Sequence, residues 1–331
     1  MAALGVTYPN LLDVTKRLDP NGKIDAVAEV LNETNEMLPE LHFKEGNLPT
    51  GHRATIRTGI PTPTWRKLNG GITPKKSRTS QITFNVGMLE ALAEVDVRVA
   101  NLNGNSAEWR LSEDKAFIEG MNVEMQDTLL YGNEGTEPEA FTGIMNYYNS
   151  LSAESAQQIV VGGGSGTDNA SILLVQWGDD IHGIYPKGSK AGLDVSDEGV
   201  VWIENVDGSN GRMKAYRTHY TWDAGLVVKD WRKAARIPNI DKSALIATAA
   251  SGANLPSLMF EASRLIHNPG AGRQAWYMSR YVATRLFQQL SYLTKDSSLQ
   301  SMDVGGKKVD TVFGIPLRRV DAMSADEALV A

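Results

Sequence analysis

The sequence predicts an α+β protein organised around one long helix. Three observations carry that prediction. Residues 105–132 place Phe117, Met121, Met125 and Leu129 at four-residue intervals, so these side chains share one helical face. Two alternating runs, 52–59 and 79–86, flank a glycine- and proline-rich stretch and read as the strands of a long hairpin. Residues 171–237 hold further strand-like runs, followed by helical and strand patterns toward the end.

Composition narrows the function. The 331 residues carry a net charge of -6 and no cysteine. The missing thiols exclude disulfides, thiolate catalysis and cysteine metal sites. No run of about 18 apolar residues is present to cross a membrane. The first twenty residues lack the basic start and apolar centre of a secretory leader, so none is expected. The acidic balance argues against a dedicated nucleic-acid binder and leaves room for a local basic patch.

In chain order, residues 1–20 read as an extended arm with Pro9 and Pro20, and a helix is expected at 23–37 from Ile24, Val27, Val30 and Leu31. From 41 to 87 the long hairpin is expected to turn at Asn69-Gly70-Gly71. It carries Lys44, Arg53, Arg57, Arg66, Lys67, Lys75, Lys76 and Arg78, with Glu45 its only acid. A two-stranded ribbon is marginal alone in water. It therefore needs a partner, either a nucleic-acid phosphate backbone or an acidic surface on a neighbouring copy. A solvated flap is the plainer reading.

Met88–Leu92 suggests a helical turn and 93–100 a half-buried strand. The long helix follows at 106–131, with Asn105 and Glu108 or Ser112 to cap its start and Gly132 to stop it. At roughly 25 residues it would span about 37 Å. Its polar side carries Glu108, Glu113, Asp114, Glu119, Glu124 and Asp127 against Arg110 and Lys115. A solvated amphipathic face explains this, and so does a rod that another chain grips. Two blocks of opposite charge suit head-to-tail pairing of identical subunits. The expected contacts set Arg53, Arg57, Arg66, Lys67, Lys75, Lys76 and Arg78 against Glu108, Glu113, Asp114, Glu119, Glu124 and Asp127 of the next copy.

The glycine cluster at 157–169 fails both phosphate-loop patterns. Thr167 stands where the dinucleotide pattern anchored on Gly162 and Gly164 needs glycine, and no Gly-Lys-Ser/Thr follows. A flexible loop is expected. Strands are expected at SILLVQW, GVVWIENV, MKAYRTHYTW and AGLVVKDWRKAARI, then a small-residue stretch at 241–252. A helix at 255–267 has Pro256 in its first turn, and 276–293 reads as a helix or a strand leading into one. A short hairpin is expected within 304–323, and the last eight residues look loose.

No catalytic constellation emerges. The five histidines (His42, His52, His182, His219 and His267) lack metal-ligand spacing, and His219 reads as a packing or surface residue. Ser112 and Lys115 match a Ser-x-x-Lys spacing without its companion motifs, and helix capping explains the serine better. Trp177, Trp202, Trp222, Trp231 and Trp276 read as core or interface anchors. No enzyme, cofactor or metal site is expected.

The order of arm, helix, basic hairpin, strand, acidic helix, β-rich middle and α/β end resembles the major capsid proteins of tailed bacteriophages, the Hong Kong 97-like fold. GLVVKDWRKAARIPNID (225–241) and WGDDIHGIYPKGSKAGL (177–193) are similar to the podovirus group related to phage epsilon-fifteen, to which the Bordetella-phage type belongs. WYMSRYVATRL (276–286) and FGIPLRRVDAM (313–323) resemble the axial-domain helix and strand of the wider fold. The resemblance implies an arm and short helix at 1–40, an extended loop at 41–87, and a peripheral domain at 88–139. It further implies a crossover and part of the axial domain at 140–176, peripheral strands at 177–240 and the axial domain at 241–331. Many members continue past Pro316 into further peripheral strands. Here 177–240 is expected to supply them in a rearranged order.

The function implied is a shell protein that assembles as pentamers and hexamers into the icosahedral head enclosing double-stranded DNA. Its implied partners are scaffolding, portal and cement proteins, and packaged DNA met without sequence specificity, with no membrane. The implied location is the virion head, built in the host cytoplasm. The alternative is a nucleic-acid-binding protein using the 52–78 ribbon. A nucleotide-binding enzyme using Gly162 to Gly166 is remote.

Overall fold

The structure is a computed structural model that describes residues 36–101, 106–204, 211–246, 252–292, 299–304, 307–323 and 326–331. The arm at 1–20, the helix at 23–37 apart from Glu36 and Met37, and the cap at Asn105 lie outside these residues.

Strand β1 (Phe43–Glu45) leads to β2 (Gly51–Gly59) and β3 (Arg78–Asn85). Strand β4 (Gly87–Asp96) runs into a one-turn helix, α1 (Val97–Ala100), and the long helix is α2 (Ser106–Tyr131). Then come β5 (Asn169–Trp177), β6 (Ile181–Tyr185), β7 (Asp194–Glu204), β8 (Arg212–Val228) and β9 (Ala234–Asp241). Helix α3 (Leu255–Leu265), β10 (Arg273–Met278), α4 (Arg280–Tyr292), β11 (Leu299–Val304), β12 (Lys307–Val312) and β13 (Ile315–Arg319) complete the chain.

These strands form three sheets. A five-stranded sheet runs β1-β6-β8-β4, with β7 also paired to β8. A six-stranded sheet runs β11-β12-β13-β10-β5-β9, and β2 and β3 form a ribbon of their own. Strand β8, 17 residues long, organises the first sheet: β4 lines one edge, while β7 and β6 follow each other along the other.

Strand β5 is buried along its whole length, and its alternation joins two cores. Leu173, Val175 and Trp177 pack with Leu129, Leu130, Tyr148 and Leu226, between α2 and the two large sheets. Ile172 and Leu174 face the other way, onto Leu255, Met259, Val282 and Leu286 of α3 and α4. A strand covered on both faces reads as an unbroken apolar run, as SILLVQW does. Each such side chain contributes roughly 1.5–3 kcal/mol by leaving water.

The helical face expected for α2 is the buried one. Met121, Met125 and Leu129 are buried, and Phe117 stacks on Tyr220 of β8 with ring centroids 5.7 Å apart.

Several boundaries differ from expectation. Met88–Leu92 is strand rather than helical turn, because it pairs residue by residue with β8. The strand expected at 93–100 stops at Asp96, whose side chain accepts a hydrogen bond from the Arg98 amide and caps a helical turn. The runs MKAYRTHYTW and AGLVV are one strand, continuing through Gly225, where an added Cβ would lie 2.6 Å from the Asn85 carbonyl oxygen. Residues 177–240, expected as one group, divide: β6, β7 and β8 join the five-stranded sheet, while β9 pairs with β5 in the six-stranded one.

The glycine cluster is not a flexible loop. The Gly162 and Gly164 amides donate to the Pro238 and Asn239 carbonyls at 2.8 and 2.7 Å, so those amides are spent on β9. The tail is not loose either. Asn239 Nδ2 donates to the Val330 carbonyl at 2.8 Å, the Val330 amide donates to Asn239 Oδ1 at 2.9 Å, and Glu327 and Val330 are buried. The partners named here lie on β9, far away in sequence, so no local pattern announces them.

Candidate inter-subunit surface

Among the described residues, the β2–β3 ribbon packs on the body of the chain at one end. Ala54 and Phe84 pack on Ile184 and Val227 of the five-stranded sheet. Asn47 fixes the entry of the strand: its side chain donates to the Arg53 carbonyl at 2.8 Å and accepts from the Arg53 amide at 2.7 Å. His52 and His182 meet edge to face at this base, 6.2 Å between centroids. Burial, then Lys229, Lys44 and His52, pulls His182 down to about 4, and burial followed by Lys229 lowers His52.

The ladder runs from Gly51↔Asn85 to Gly59↔Arg78 and stops there. The hairpin expected to continue toward 69–71 is therefore paired over only part of its length. Pro61, Pro63 and Pro74 have no amide hydrogen to give a ladder. Residues 60–77 instead form a loop closed by its own contacts. The Gly70 amide donates to the Lys67 carbonyl at 3.0 Å across a turn in which Asn69 takes φ 62°. Arg66 Nε donates to the Gly70 carbonyl at 2.9 Å, and Lys75 Nζ to the Thr62 carbonyl at 2.7 Å.

All seven expected basic contact residues, Arg53, Arg57, Arg66, Lys67, Lys75, Lys76 and Arg78, are exposed. Sequence reasoning missed the apolar side chains among them. Ile60 is 84% exposed, Trp65 102%, Leu68 96% and Ile72 63%. The signal was there: a tryptophan in a proline-rich basic stretch has no alternation to give it a core side.

The acidic residues of α2 are less uniformly available. Asp114 accepts a hydrogen bond from the Tyr220 hydroxyl, and burial followed by that carboxylate raises the tyrosine pKa. Glu113 and Glu119 are half-buried, whereas Glu124 and Asp127 are exposed. The Glu108 side chain lies outside the described residues. Arg110 pairs with Asp197 of β7 at 2.7 Å and holds that carboxyl below its usual range. The expected acidic rod is thus used internally over its first half, because that half lies against β8.

Exposed carboxylates continue beyond the helix, at Glu134, Glu137 and Glu139. Between this turn and the start of β4 lies a cleft of about 200 Å³ lined by Met88, Leu89, Met125 and Phe141 and rimmed by Glu124, Glu137 and Glu139. His219, on the outer side of β8, meets Glu90 at 3.2 Å. Among the described residues no three His, Asp or Glu side chains gather as a metal site, and no helix is long and apolar enough to cross a membrane.

The comparisons bear on the chain as a whole. The family model described as major capsid protein GP7 matches residues 19–331. A chain in the structure of bacteriophage Epsilon15 is 34% identical, with 100% of both chains covered and a TM-score of 0.80. The capsid of bacteriophage JBD30 matches with a TM-score of 0.51 and 9% identity, over 89% of this chain and 93% of that one, which speaks to the fold alone. Among curated proteins, none matches. The agreement of residues 19–331 with that family model, and the full-length likeness to the Epsilon15 chain, establish that this chain belongs to the family of GP7 major capsid proteins, with the Hong Kong 97-like fold.

Proposed function

We propose that copies of this chain assemble as pentamers and hexamers into the icosahedral head of a tailed phage, enclosing double-stranded DNA. The observation that carries this reading is the loop at 60–77, whose large apolar side chains stand in water on a single chain. Monomeric proteins rarely leave such patches uncovered.

In this mechanism the ribbon lies across the acidic helix α2 of a neighbour. Exposed ion pairs are worth only about 0–1 kcal/mol each, so they orient the encounter while buried apolar contact holds it. The region 241–331, with part of 140–176, would fill the centre of each capsomer. The arm at 1–40 would reach adjacent subunits. Scaffolding, portal and cement proteins would complete the particle, with DNA against the inner wall and assembly in the host cytoplasm. The family is one of structural proteins, and the site described has the character of a contact surface rather than a reaction centre.

Electron microscopy of the purified protein tests the proposal: closed shells support it, and a monodisperse monomer at every concentration overturns it. A second reading has one observation in its favour. Trp65, exposed among basic side chains, could stack on a nucleic-acid base. A gel shift that weakens steeply with salt would support that reading.

A further inference from the structure

We infer that a calcium ion binds at the start of β5, where Asp168 and Asp241 flank Gly166 and the buried Asn169 lies beside them. The site goes beyond the shell reading and does not depend on it. Neither the ribbon nor α2 takes part.

Three observations carry it. First, two carboxylate oxygens converge on one point. A Cβ on Gly166 would lie 3.1 Å from Asp168 Oδ1 and 3.6 Å from Asp241 Oδ2. Glycine leaves that space open, and both aspartates are half-buried, so ions in solvent reach it. Second, each carboxylate is fixed by its other oxygen. Asp168 Oδ2 accepts from the Ser243 amide at 3.0 Å, while Asp241 Oδ1 accepts from the Ser243 hydroxyl at 2.8 Å and the Ala244 amide at 3.0 Å. Among the described residues neither aspartate has a cationic partner, and the adjacent Lys242 pairs with Asp326 at 3.6 Å. Third, Asn169 is 1% exposed, and its side-chain oxygen finds no partner among the described residues. Its Nδ2 donates to the Gly166 carbonyl at 2.7 Å. Its Oδ1 and the Asp241 amide lie 3.0 and 2.9 Å from the place a Cβ on Gly164 would take. The orphan oxygen therefore stands between the glycines and Asp241. A buried oxygen left unpaired is costly, and a cation satisfies it.

The donors are all oxygen. Carboxylate and carbonyl ligands, without imidazole or thiolate, select calcium or magnesium over transition metals. Calcium accepts irregular sets completed by water, whereas magnesium demands near-ideal octahedral geometry. With only two carboxylates, the expected affinity is of the weak class, Kd about 10⁻⁴–10⁻³ M. The ion would tie the glycine segment to β5 and β9, at a junction that also holds the tail: the Glu327 amide donates to the Asn169 carbonyl at 2.8 Å.

Titration calorimetry of calcium chloride into the full-length chain, first stripped with a chelator, tests the site. The expected result is one saturable event of that affinity, with a thermal midpoint that rises and levels off as the site fills. Magnesium at equal concentration should raise the midpoint less. Gly166→Ala fills the open point with a methyl group and keeps both carboxylates. Asp168→Asn removes one charge at nearly constant shape. Each variant should keep the circular-dichroism spectrum of the unaltered chain and bind calcium at least about tenfold more weakly. Should Gly166→Ala fail to fold, Asp168→Asn carries the comparison. No saturable binding up to about 10 mM, an equal effect of magnesium, or unchanged calcium affinity in the folded variants overturns the site and leaves the shell reading untouched.

Discussion

Glu327 shows how much a single carboxylate can hold. It accepts from Arg236 Nη2 at 2.6 Å, from the Tyr131 hydroxyl at 2.9 Å and from Ser171. Arg236 also donates to Ser171 Oγ at 3.1 Å and to the Tyr148 carbonyl at 3.1 Å. One buried ion pair thus ties the tail to α2, β5 and β9. Replacing one partner strands the other charge in the core. Glu327→Ala should therefore cost about 3–5 kcal/mol in urea unfolding of the free subunit, and an apolar replacement of both partners should cost much less. His182 supplies a pH dependence. Its folded pKa is about 4, while an unfolded histidine titrates near 6.5. Between these values the unfolded chain binds more protons, so its contribution to stability falls as pH drops from about 6.5 to about 4. That value reflects burial first, then the charges of Lys229, Lys44 and His52, which also lower it, against a backbone hydrogen bond with Asp179, which raises it. The urea midpoint should be lower at pH 5 than at pH 7, and His182→Asn should flatten that difference. Neither residue could be singled out from sequence: Glu327 lies in a tail without periodicity, and His182 gains its neighbours from other strands.

At the scale of elements, the ribbon and α2 are the parts proposed to face other copies. Arg53 and Arg57 project from the paired portion of the ribbon into solvent. Arg53→Glu together with Arg57→Glu should leave the subunit folded by circular dichroism and sharply lower particle yield. A normal yield of particles would count against the pairing. The long helix was legible because a four-residue apolar interval leaves few alternatives. The end of β4 was not, since Asp96 closes the strand by capping a turn that the apolar alternation does not reveal. The basic block was legible as charge. Its apolar content went unread because the reading followed charge, although the lack of alternation around Trp65 leaves that side chain no core side.

The whole molecule joins these parts into an assembling unit. If charge guides encounter and apolar burial holds the product, salt should act on rate more than on yield. Raising salt from about 0.1 M to about 1 M shortens the screening length from about 10 Å to about 3 Å. Light scattering should then show slower assembly with shells that persist once formed. Shells that dissolve at high salt would argue that ion pairs carry the affinity.

The sequence by itself determined the α+β class, the position of the long helix and the sign of each charged block. Those follow from periodicity and composition, which are properties of neighbouring residues. Only the tertiary structure decided that 177–240 divides between two sheets, that the tail is pinned by Arg236 and Asn239, and that part of the acidic helix is consumed by β8 while the apolar tip stays bare. Each of these depends on pairings between residues tens to hundreds of positions apart, and such pairings are selected by burial and hydrogen bonding across the assembled fold.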